Sequence, residues 1–326
     1  MQRRPLLALA GATLAAPALA QPLAEAPWPR ETVRLVVPFG PGGATDIPAR
    51  LFADELSKFL PHRVVVENRS GAGVTVGAEV VARAPKDGHT LLYNTMAHAV
   101  MRAMFPRLPF DPLADFAPVA LLGVIPMVLL ANNGLPARTL PEMLALIRAN
   151  PGRYSYGSGG NGSATHLITA LLLKRAGDLR AEHVPYRGAP PAMLDLIAGR
   201  IALFLDVANT GLGYSRRGDA RALAVSSASR MPQAPEIPTF AEAGVTGADA
   251  ATWHMALAPA GTPAPVVAAA NAAFRRVLAL PEVQAKLGEL AIQVRPDATP
   301  EDSRAFLAAE VARWGTVIRE AGIAVE

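Results

Sequence analysis

The sequence predicts an α/β protein made of two similar lobes. Short strand-like runs alternate with amphipathic helix-like runs from Pro29 onward, which is typical of a parallel sheet with helices on its faces. The alternation restarts after a long apolar segment at 116–131. A related loop, GGATD at Gly42–Asp46 and GSATH at Gly162–His166, stands between a strand and a helix in each half. These observations predict two α/β lobes, each with a glycine-rich loop at a helix N-terminus.

The first half carries three predicted strands. They fall at Val33–Val37, Arg63–Glu67 and Thr90–Asn94. A helix is expected after the first strand, because five apolar side chains share one helical stripe: Ile47, Leu51, Phe52, Leu56 and Phe59. A second helix is expected after the turn NRSGAG at 68–73.

The second half repeats the alternation of strands and helices, and the chain then returns to the first lobe. Strands are predicted at four places: Arg153–Tyr156, His183–Tyr186, Ile201–Asp206 and Ala222–Ser226. Helices are predicted between them at Leu140–Asn150, Thr165–Ala176 and Ala189–Ala198. A strand at Thr252–Ala258 leads back to the first lobe. Three closing helices each have Pro near the first turn, where its missing N–H is not needed: Pro263–Leu278, Pro281–Leu290 and Pro300–Ala321.

Two apolar segments could suggest a membrane span, and neither predicts one. The segment 116–131 is interrupted by Pro118, Gly123 and Pro126, which favours buried strands. Residues 1–20 have a basic start, a short apolar run and Ala-Leu-Ala before Gln21, the layout of a bacterial secretory signal cleaved after Ala20. Arg3-Arg4 also leaves twin-arginine export open. We therefore expect an exported protein of the periplasm.

Composition excludes several classes of function. The chain has no cysteine, which excludes disulfides, thiolate metal sites and a lipoprotein anchor. The formal net charge is only +4 and no basic block occurs, so no nucleic-acid partner is predicted. The six histidines show no metal-ligand spacing, so no metal is predicted.

The glycine-rich loops are suited to binding an anion. A helix N-terminus carries unpaired N–H groups and a partial positive charge, and small residues let a ligand approach that backbone. Thr45, Asp46, Ser163 and Thr165 are candidate N-caps of the two helices. Capping alone does not explain why both loops are rich in glycine.

Two enzymatic interpretations of YGSGGNGSATH at 156–166 fit less well. The G-x-G-x-x-G spacing resembles a dinucleotide loop, but Glu182 precedes the next strand instead of ending it, so no nucleotide cofactor is predicted. A hydrolase would use Ser163 or Ser158 with His166 and Asp206, yet neither serine lies in a G-x-S-x-G elbow. Asp206 ends the strand-like run IALFLD, where it either faces a ligand crevice or caps the next helix.

Several blocks in order resemble one family. VRLVVPFGPGGATDIPARLFADEL, VVVENRSGAG, NPGRYSYGSGGNGSATHL and HVPYRGAPPAMLDLIAGRI are similar to the receptors of tripartite tricarboxylate transporters, also called Bug proteins. The resemblance runs from Trp28 to about Trp314. It implies a type II periplasmic binding-protein fold, in which two α/β lobes close around a small ligand, usually a carboxylate.

The resemblance also implies the site. Two facing loops hold a ligand carboxylate through backbone amides, small hydroxyls and ordered waters, while cleft residues read the ligand's far end. The matching positions are Phe39, Gly43, Ala44, Thr45, Asp46, Thr95, Ser158, Gly162, Ser163, Thr165 and Asp206. The chain departs from the family pattern at Asn94–His98, which lacks a longer run of small residues, and after Asp206, where Val207-Ala208 replaces an asparagine. Both departures lie where selectivity is set.

The sequence thus predicts a periplasmic receptor for a small organic anion that works by lobe closure, without catalysis, cofactor or metal. The expected lobes are 27–124 plus 256–326 and 125–255, and the expected partners are the membrane subunits of a tripartite tricarboxylate transporter. A hydrolase and a sensory receptor that feeds a signalling partner are the alternatives. The identity of the ligand stays open.

Overall fold

A computed structural model describes residues 28–105, 107–320 and Ile323. The predicted signal segment 1–20 lies outside the described residues. Within the described ranges, no helix is both long and apolar enough to cross a membrane.

Six strands form the sheet of the first lobe. In chain order they are β1 Val33–Val37, β2 Val64–Asn68, β3 Thr90–Thr95, β4 Phe116–Ile125, β10 Thr252–Pro259 and β11 Gln293–Val294. They lie in the spatial order β11-β4-β10-β3-β1-β2. β1 pairs in parallel with β2 and β3, and β10 runs antiparallel between β3 and β4. The strand β10 is therefore the returning strand that the sequence predicts.

Five strands form the sheet of the second lobe. They are β5 Met127–Ala131, β6 Ser155–Ser158, β7 Glu182–Pro185, β8 Leu203–Val207 and β9 Arg221–Val225. Their spatial order is β7-β6-β8-β5-β9, with β6, β7 and β8 parallel and β5 antiparallel to both neighbours. The alternation of strands and helices predicted from the sequence is confirmed in both lobes.

Ten helices cover the two sheets in the described part of the chain. They are α1 Asp46–Leu56, α2 Thr75–Ala82, α3 Ala97–Met104, α4 Leu140–Ala149, α5 Ala164–Arg175, α6 Ala189–Ile197, α7 Ala208–Arg216, α8 Ala264–Leu278, α9 Pro281–Glu289 and α10 Pro300–Glu320. The sequence analysis missed α3 and α7. The segment of α7, ANTGLGYSR, contains two glycines, so its intrinsic helix propensity is low and packing on the sheet stabilises it.

The chain crosses between the lobes at two neighbouring points. β4 passes into β5 through Pro126, and β10 begins at Thr252 opposite the end of β4. The hydroxyl of Ser226 connects both crossings, since it accepts the N–H of Met127 at 3.0 Å and donates to the carbonyl of Ala250 at 2.6 Å. Ser226 is fully buried. This side chain links the two segments about which the lobes can turn.

The crossings bring one edge of each sheet together. β5 begins beside the end of β8, where Met127 is paired with Val207, so the carboxyl ends of the parallel strands face the first lobe. The carboxyl ends of β1 and β3 lie at the edge where β10 enters from the second lobe. In α/β proteins ligands bind at the carboxyl ends of parallel strands. Both such edges here border the same interlobe cleft.

Part of the apolar core is shared between the lobes. One cluster joins Met101 and Met104 of α3 and Trp314 of α10 to Leu167 and Leu171 of α5 in the second lobe. The lobes therefore pack against one another beside the cleft as well as at the crossings.

Two local predictions for α1 are wrong. Ile47 is 48% exposed rather than part of the buried stripe, because it lies in the first turn at the cleft edge. Phe59 lies beyond the end of the helix, where the guanidinium of Arg276 stacks on its ring. Phe52 and Leu56 are buried as expected.

Candidate functional site

The loop after β1 leaves a row of backbone N–H groups without partners. Gly42, Gly43 and Ala44 are exposed to solvent, and α1 begins at Asp46. Among the described residues, the N–H groups of Gly43, Ala44, Thr45 and Asp46 make no hydrogen bond. The Thr45 hydroxyl also makes no hydrogen bond there and does not cap the helix, contrary to the prediction. These donors are therefore available to an anion at the positive end of α1.

The Asp46 side chain supports this loop from within. Its Oδ2 accepts the N–H of Gly42 at 2.8 Å and pairs with Nε of Arg50 at 2.7 Å, while Oδ1 accepts Nδ2 of Asn68 at 2.7 Å. Burial raises the pKa of Asp46, but the bonds from Arg50, Gly42 and Asn68 outweigh it and the pKa ends below its ordinary value. The carboxylate is thus fully engaged, and only the amide of Asp46 can reach a ligand.

The loop after β6 also leads into a helix N-terminus with free N–H groups, but different side chains hold it in place. Ser163 caps α5, as predicted, by accepting the N–H of His166 at 3.3 Å, and its hydroxyl donates to the carbonyl of Gly160 at 2.7 Å. The Thr165 hydroxyl accepts the N–H of Gly159 at 2.8 Å. Within the described chain, the N–H groups of Ala164 and Thr165 have no acceptor. They offer a second pair of donors at a helix N-terminus.

The two loops are equivalent in detail. Gly42 and Gly162 both have left-handed backbone angles, with φ of 76° and 73°. Each donates its N–H to the side chain four residues later, Gly42 to Oδ2 of Asp46 and Gly162 to Nδ1 of His166 at 3.1 Å. The short shared pattern G-x-A-T therefore marks one loop conformation used once in each lobe.

Gly162 also lies close to the first lobe. A Cβ there would lie 2.6 Å from Cε of Met104, which belongs to the first lobe. At Gly43, by contrast, a Cβ would meet only the carbonyl of Gly40 at 3.8 Å, so that position is open. Gly162 is thus a contact between the lobes as well as a part of the predicted site.

Ser158 lies beneath the second loop. The serine is completely buried, its Oγ lies 2.7 Å from Nε2 of His183, and it accepts the N–H of Gly160 at 3.1 Å. In this geometry the hydroxyl holds the loop and does not face the cleft. The sequence analysis named Ser158 but missed His183, which the pairing of β7 with β6 brings to it.

Asp206 is a buried carboxyl without a cationic partner. It is 3% exposed, and its oxygens accept the N–H of Val207 at 2.9 Å and the hydroxyl of Thr210 at 2.6 Å. Burial raises its pKa to about 6, although both hydrogen bonds act in the opposite direction. The bond to Thr210 ties it to the first turn of α7, so it supports that helix, while Val207 beside it packs against the core of the first lobe.

The remaining predicted residues lie near the carboxyl ends of strands in the first lobe. Phe39 is partly buried and packs against core clusters on both faces of the first sheet. Thr95 ends β3, is 8% exposed, and accepts the N–H of Ala97 at 3.3 Å at the start of α3. Asn68, at the end of β2, was not predicted as a site residue. The sequence feature that indicates it is a polar side chain at the carboxyl end of a strand.

The Ser-His-Asp arrangement of the hydrolase alternative is not assembled. Nδ1 of His166 is occupied by the N–H of Gly162, the Ser163 hydroxyl bonds within its own loop, and Asp206 bonds to α7. The dinucleotide interpretation lacks its acid, since β7 ends at Pro185 and is followed by Tyr186 and Arg187. The loop geometry fits anion binding better than either enzymatic interpretation.

One acidic cluster could suggest a metal. Ligand atoms of Glu31, Asp87 and His89 lie within 4.8 Å of one another. However, Nε2 of His89 accepts the N–H of Arg30 at 3.0 Å, so the proton of the neutral ring is on Nδ1, which faces Asp87 at 3.3 Å. A metal needs a lone pair at Nδ1, and this donor set therefore does not fit one.

Comparison with known proteins places this geometry in a family. The model of the tripartite tricarboxylate transporter family receptor matches residues 48–323. The protein BugT of Bordetella pertussis is 35% identical over 322 residues, which cover 97% of this chain and 97% of BugT. An R. palustris structure with adipate superposes with a TM-score of 0.80 at 35% identity, covering 92% of this chain and 100% of that one. MatC from Rhodopseudomonas palustris, with bound malate, gives a TM-score of 0.78 at 35% identity, covering 89% and 100%.

These matches span both lobes and the loops at the edge of each sheet. They agree with a type II arrangement in which two α/β lobes border one ligand cleft. The chain belongs to the receptor family of the tripartite tricarboxylate transporters, whose members are periplasmic solute-binding proteins.

Proposed function

We propose that this receptor captures a small organic carboxylate between the two loops, in the cleft between lobes 27–124 plus 256–326 and 125–255. One observation carries the proposal: each lobe has a helix N-terminus with unpaired backbone N–H groups just after a strand of its sheet. Anions bind such termini without a charged side chain. Two relatives solved with the dicarboxylates malate and adipate support the choice of ligand class.

The amides provide the anion contacts. Gly43, Ala44, Thr45 and Asp46 donate from the first loop, and Ala164 and Thr165 donate from the second. The hydroxyl of Thr45 adds a donor, and ordered water completes the shell. Phe39, Thr95 and Asp206 border the far end of the ligand, while Ser158, Gly162 and Ser163 keep the second loop in shape.

The two lobes are expected to close on the ligand, because the N–H donors that bind it are divided between them. A carboxylate that contacts both loops gains its full set of hydrogen bonds only when the lobes are together. The ligand therefore stabilises the closed state by differential affinity. Ser226 and the shared core beside α3 and α5 are the contacts that persist during this motion.

The setting of the receptor follows from the family. We place the mature chain in the periplasm after removal of residues 1–20, with delivery of the ligand to the membrane subunits of a tripartite tricarboxylate transporter. The role is binding without turnover, since the Ser158 hydroxyl and Nδ1 of His166 hold the second loop and Asp206 holds the first turn of α7.

The test is a thermal-shift and calorimetric screen of the purified protein, unfolded and refolded to remove trapped ligand. The panel holds malate, adipate, citrate, amino acids, aromatic acids and NAD. A ligand at 100 times its dissociation constant adds about 2.7 kcal/mol to stability, enough for a visible shift. We expect a shift with at least one carboxylate; a shift with NAD alone would overturn the proposal.

A matched pair of variants tests the loop. Gly43→Asp puts a negative charge where the anion binds, and the open space there means that the fold tolerates the side chain. Gly288→Asp adds the same charge in α9, where a Cβ meets nothing within 4 Å. Loss of the ligand-induced shift in the first variant but not in the second is the expected result. Equal binding by both variants would remove the first loop from the site.

A further inference from the structure

The second loop lies above a stacked pair of imidazole rings. The rings of His166 and His183 are parallel, with centroids 3.8 Å apart and an angle of 6° between their planes. Tyr156 lies beside this pair, with its ring centroid 5.0 Å from that of His183 and 6.3 Å from that of His166. His166 is 6% exposed, and His183 is half-buried. The two imidazoles therefore form one packed unit directly beneath the loop.

Each imidazole holds one end of the loop. Nε2 of His183 contacts the hydroxyl of Ser158 at 2.7 Å, where β6 ends. Nδ1 of His166 accepts the N–H of Gly162 at 3.1 Å, just before α5 begins. Because Nδ1 of His166 accepts a hydrogen bond, its proton is on Nε2 in the neutral ring. The free amides of Ala164 and Thr165 lie directly after this second attachment.

We propose that His166 and His183 are positioning residues for the anion loop of the second lobe, and that the loop releases its ligand when the pair takes up a proton. This rests on the proposed function, since it treats the loop as a ligand loop. A proton on Nδ1 of His166 replaces the acceptor of Gly162 with a donor, so the hydrogen bond to the loop breaks. The parallel contact with His183 adds charge repulsion once both rings are cationic.

The first lobe provides an internal comparison. There the same glycine N–H is accepted by the carboxylate of Asp46, which stays ionised because Arg50, Gly42 and Asn68 hold its pKa below the ordinary value against the effect of burial. In the second lobe burial, reinforced by His183, lowers the pKa of His166 to about 4. The equivalent loops therefore respond differently to acid, and the second one loses its attachment at a higher pH than the first.

The surroundings contain few other titratable groups. Tyr156 faces the pair from β6, and burial raises its pKa to about 12, so it stays neutral. The side chain that reaches the loop from the first lobe is the apolar Met104. On α5, Thr165 and Thr169 are uncharged neighbours joined by a hydrogen bond of 2.7 Å. The response of the loop to acid is thus determined by the two imidazoles.

The first readout needs no ligand. In protein labelled with 15N at glycine and histidine, the Gly162 amide resonance and the His166 imidazole nitrogens are followed from pH 7 to pH 3.5. We expect the Gly162 amide to shift, and to exchange faster with solvent, with the same midpoint as His166. The Gly42 amide serves as the internal control and should not follow that midpoint. A Gly162 resonance that stays constant while His166 titrates would overturn the proposal.

Variants separate positioning from packing. His166→Asn places a carbonyl oxygen at the position of Nδ1, as Asp46 does in the first lobe, and cannot take up a proton there. His166→Ala removes the acceptor. His183→Gln keeps a polar group near Ser158 but removes the imidazole that can become cationic beside His166. It should therefore raise the pH midpoint of the His166 titration. His62→Gln, at an exposed position of the first lobe, is the control for a lost histidine.

Binding is then measured with malate and adipate as probes. At pH 7 we expect H62Q to bind like the wild type, H166A to bind at least about tenfold more weakly, and H166N to recover most of the affinity that H166A loses. At pH 3.5 the wild type should lose about fourfold relative to H166N, for one proton with a pKa of about 4. That ratio cancels the titration of the probe itself. Equal pH profiles for the wild type and H166N would refute acid release, whereas failure of both probes to bind, with a titrating Gly162, would refute only the proposed ligand class.

Discussion

The sharpest prediction concerns Asp206, because burial disfavours the ionised form of its carboxyl group. It is buried at the cleft end of β8, with two hydrogen bonds and no ion pair among the described residues. Burial raises its pKa from the ordinary 3.8 to about 6. Replacement by asparagine removes the charge and keeps the shape. We expect Asp206→Asn to stabilise the protein at neutral pH.

The magnitude follows from the two pKa values. Ionising a carboxyl whose pKa is about 6 in the folded chain and 3.8 in the unfolded chain lowers the free energy of unfolding by roughly 3 kcal/mol. Well below its ordinary pKa of 3.8 the group is protonated in both states, so this loss is absent. It develops as pH rises through about 4 to 6 and is complete near pH 7. The amide keeps the bond from Val207, and the Thr210 hydroxyl has the carbonyl of Val207 at 3.2 Å as another acceptor. The expected gain is therefore about 2–3 kcal/mol at pH 7.5 and only about 0.5 kcal/mol at pH 4.

The assay is urea unfolding of ligand-free protein at pH 4, 5, 6 and 7.5, with Asp206→Asn compared with the wild type at each pH. Asp297→Asn is the control, because that side chain is 95% exposed. Comparison at one pH cancels the other titrating groups. A variant that is less stable than the wild type at pH 7.5, or whose difference does not change with pH, would falsify the reasoning. A stabilised variant with weaker malate or adipate binding would indicate that the carboxylate is present for the ligand, since helix support alone needs no charge.

Three further substitutions test the supports of the site. Ser226→Ala should lower the free energy of unfolding by about 1–3 kcal/mol and change the open-to-closed ratio seen by X-ray scattering, because its hydroxyl joins both crossings. Ser229→Ala, at an exposed position nearby, should change neither. Asp46→Ala should destabilise by about 2–3 kcal/mol in urea, because a buried carboxylate with three donors is lost; Asp54→Ala on the exposed face of the same helix is the control, and equal effects would contradict the support role. Since the pKa of Asp46 is lowered in the folded protein, its contribution to the free energy of unfolding is present at neutral pH. That contribution is lost as pH falls below about 4. Gly162→Ala should lower the free energy of unfolding in urea, mainly because its φ of 73° is left-handed, and the loss should exceed that of Gly43→Ala, where the backbone is not left-handed.

The local parts of the fold are readable from the sequence. Strands and helices occur where hydrophobic periodicity predicts them, with ends that differ by one or two residues, because periodicity depends on near neighbours along the chain. The two glycine-rich loops are also visible, since left-handed positions such as Gly42 and Gly162 require glycine in most contexts. The helix α7 was missed because its sequence is a poor helix former that gains its stability from contacts with β5 and β9.

The roles of individual side chains within the loops could not be read in this way. The sequence suggests polar ligand contacts at Asp46, Ser158 and Ser163. In the structure, however, these side chains hold the loops in place. The partners that decide this, Asn68 and His183, come from neighbouring strands 22 and 25 residues away in the chain. No periodic pattern records such a pairing.

The sequence by itself determined the class of the protein: two α/β lobes, a paired helix N-terminus for an anion, and membership of a receptor family. These depend on hydrophobic period, glycine positions and residue order, which are local properties of the chain. The tertiary structure alone decided which N–H groups are free, that Asp206 is buried without a cation, and that His166 stacks on His183. Such features arise when sheet pairing brings distant residues into contact, and burial then sets their protonation and hydrogen bonds.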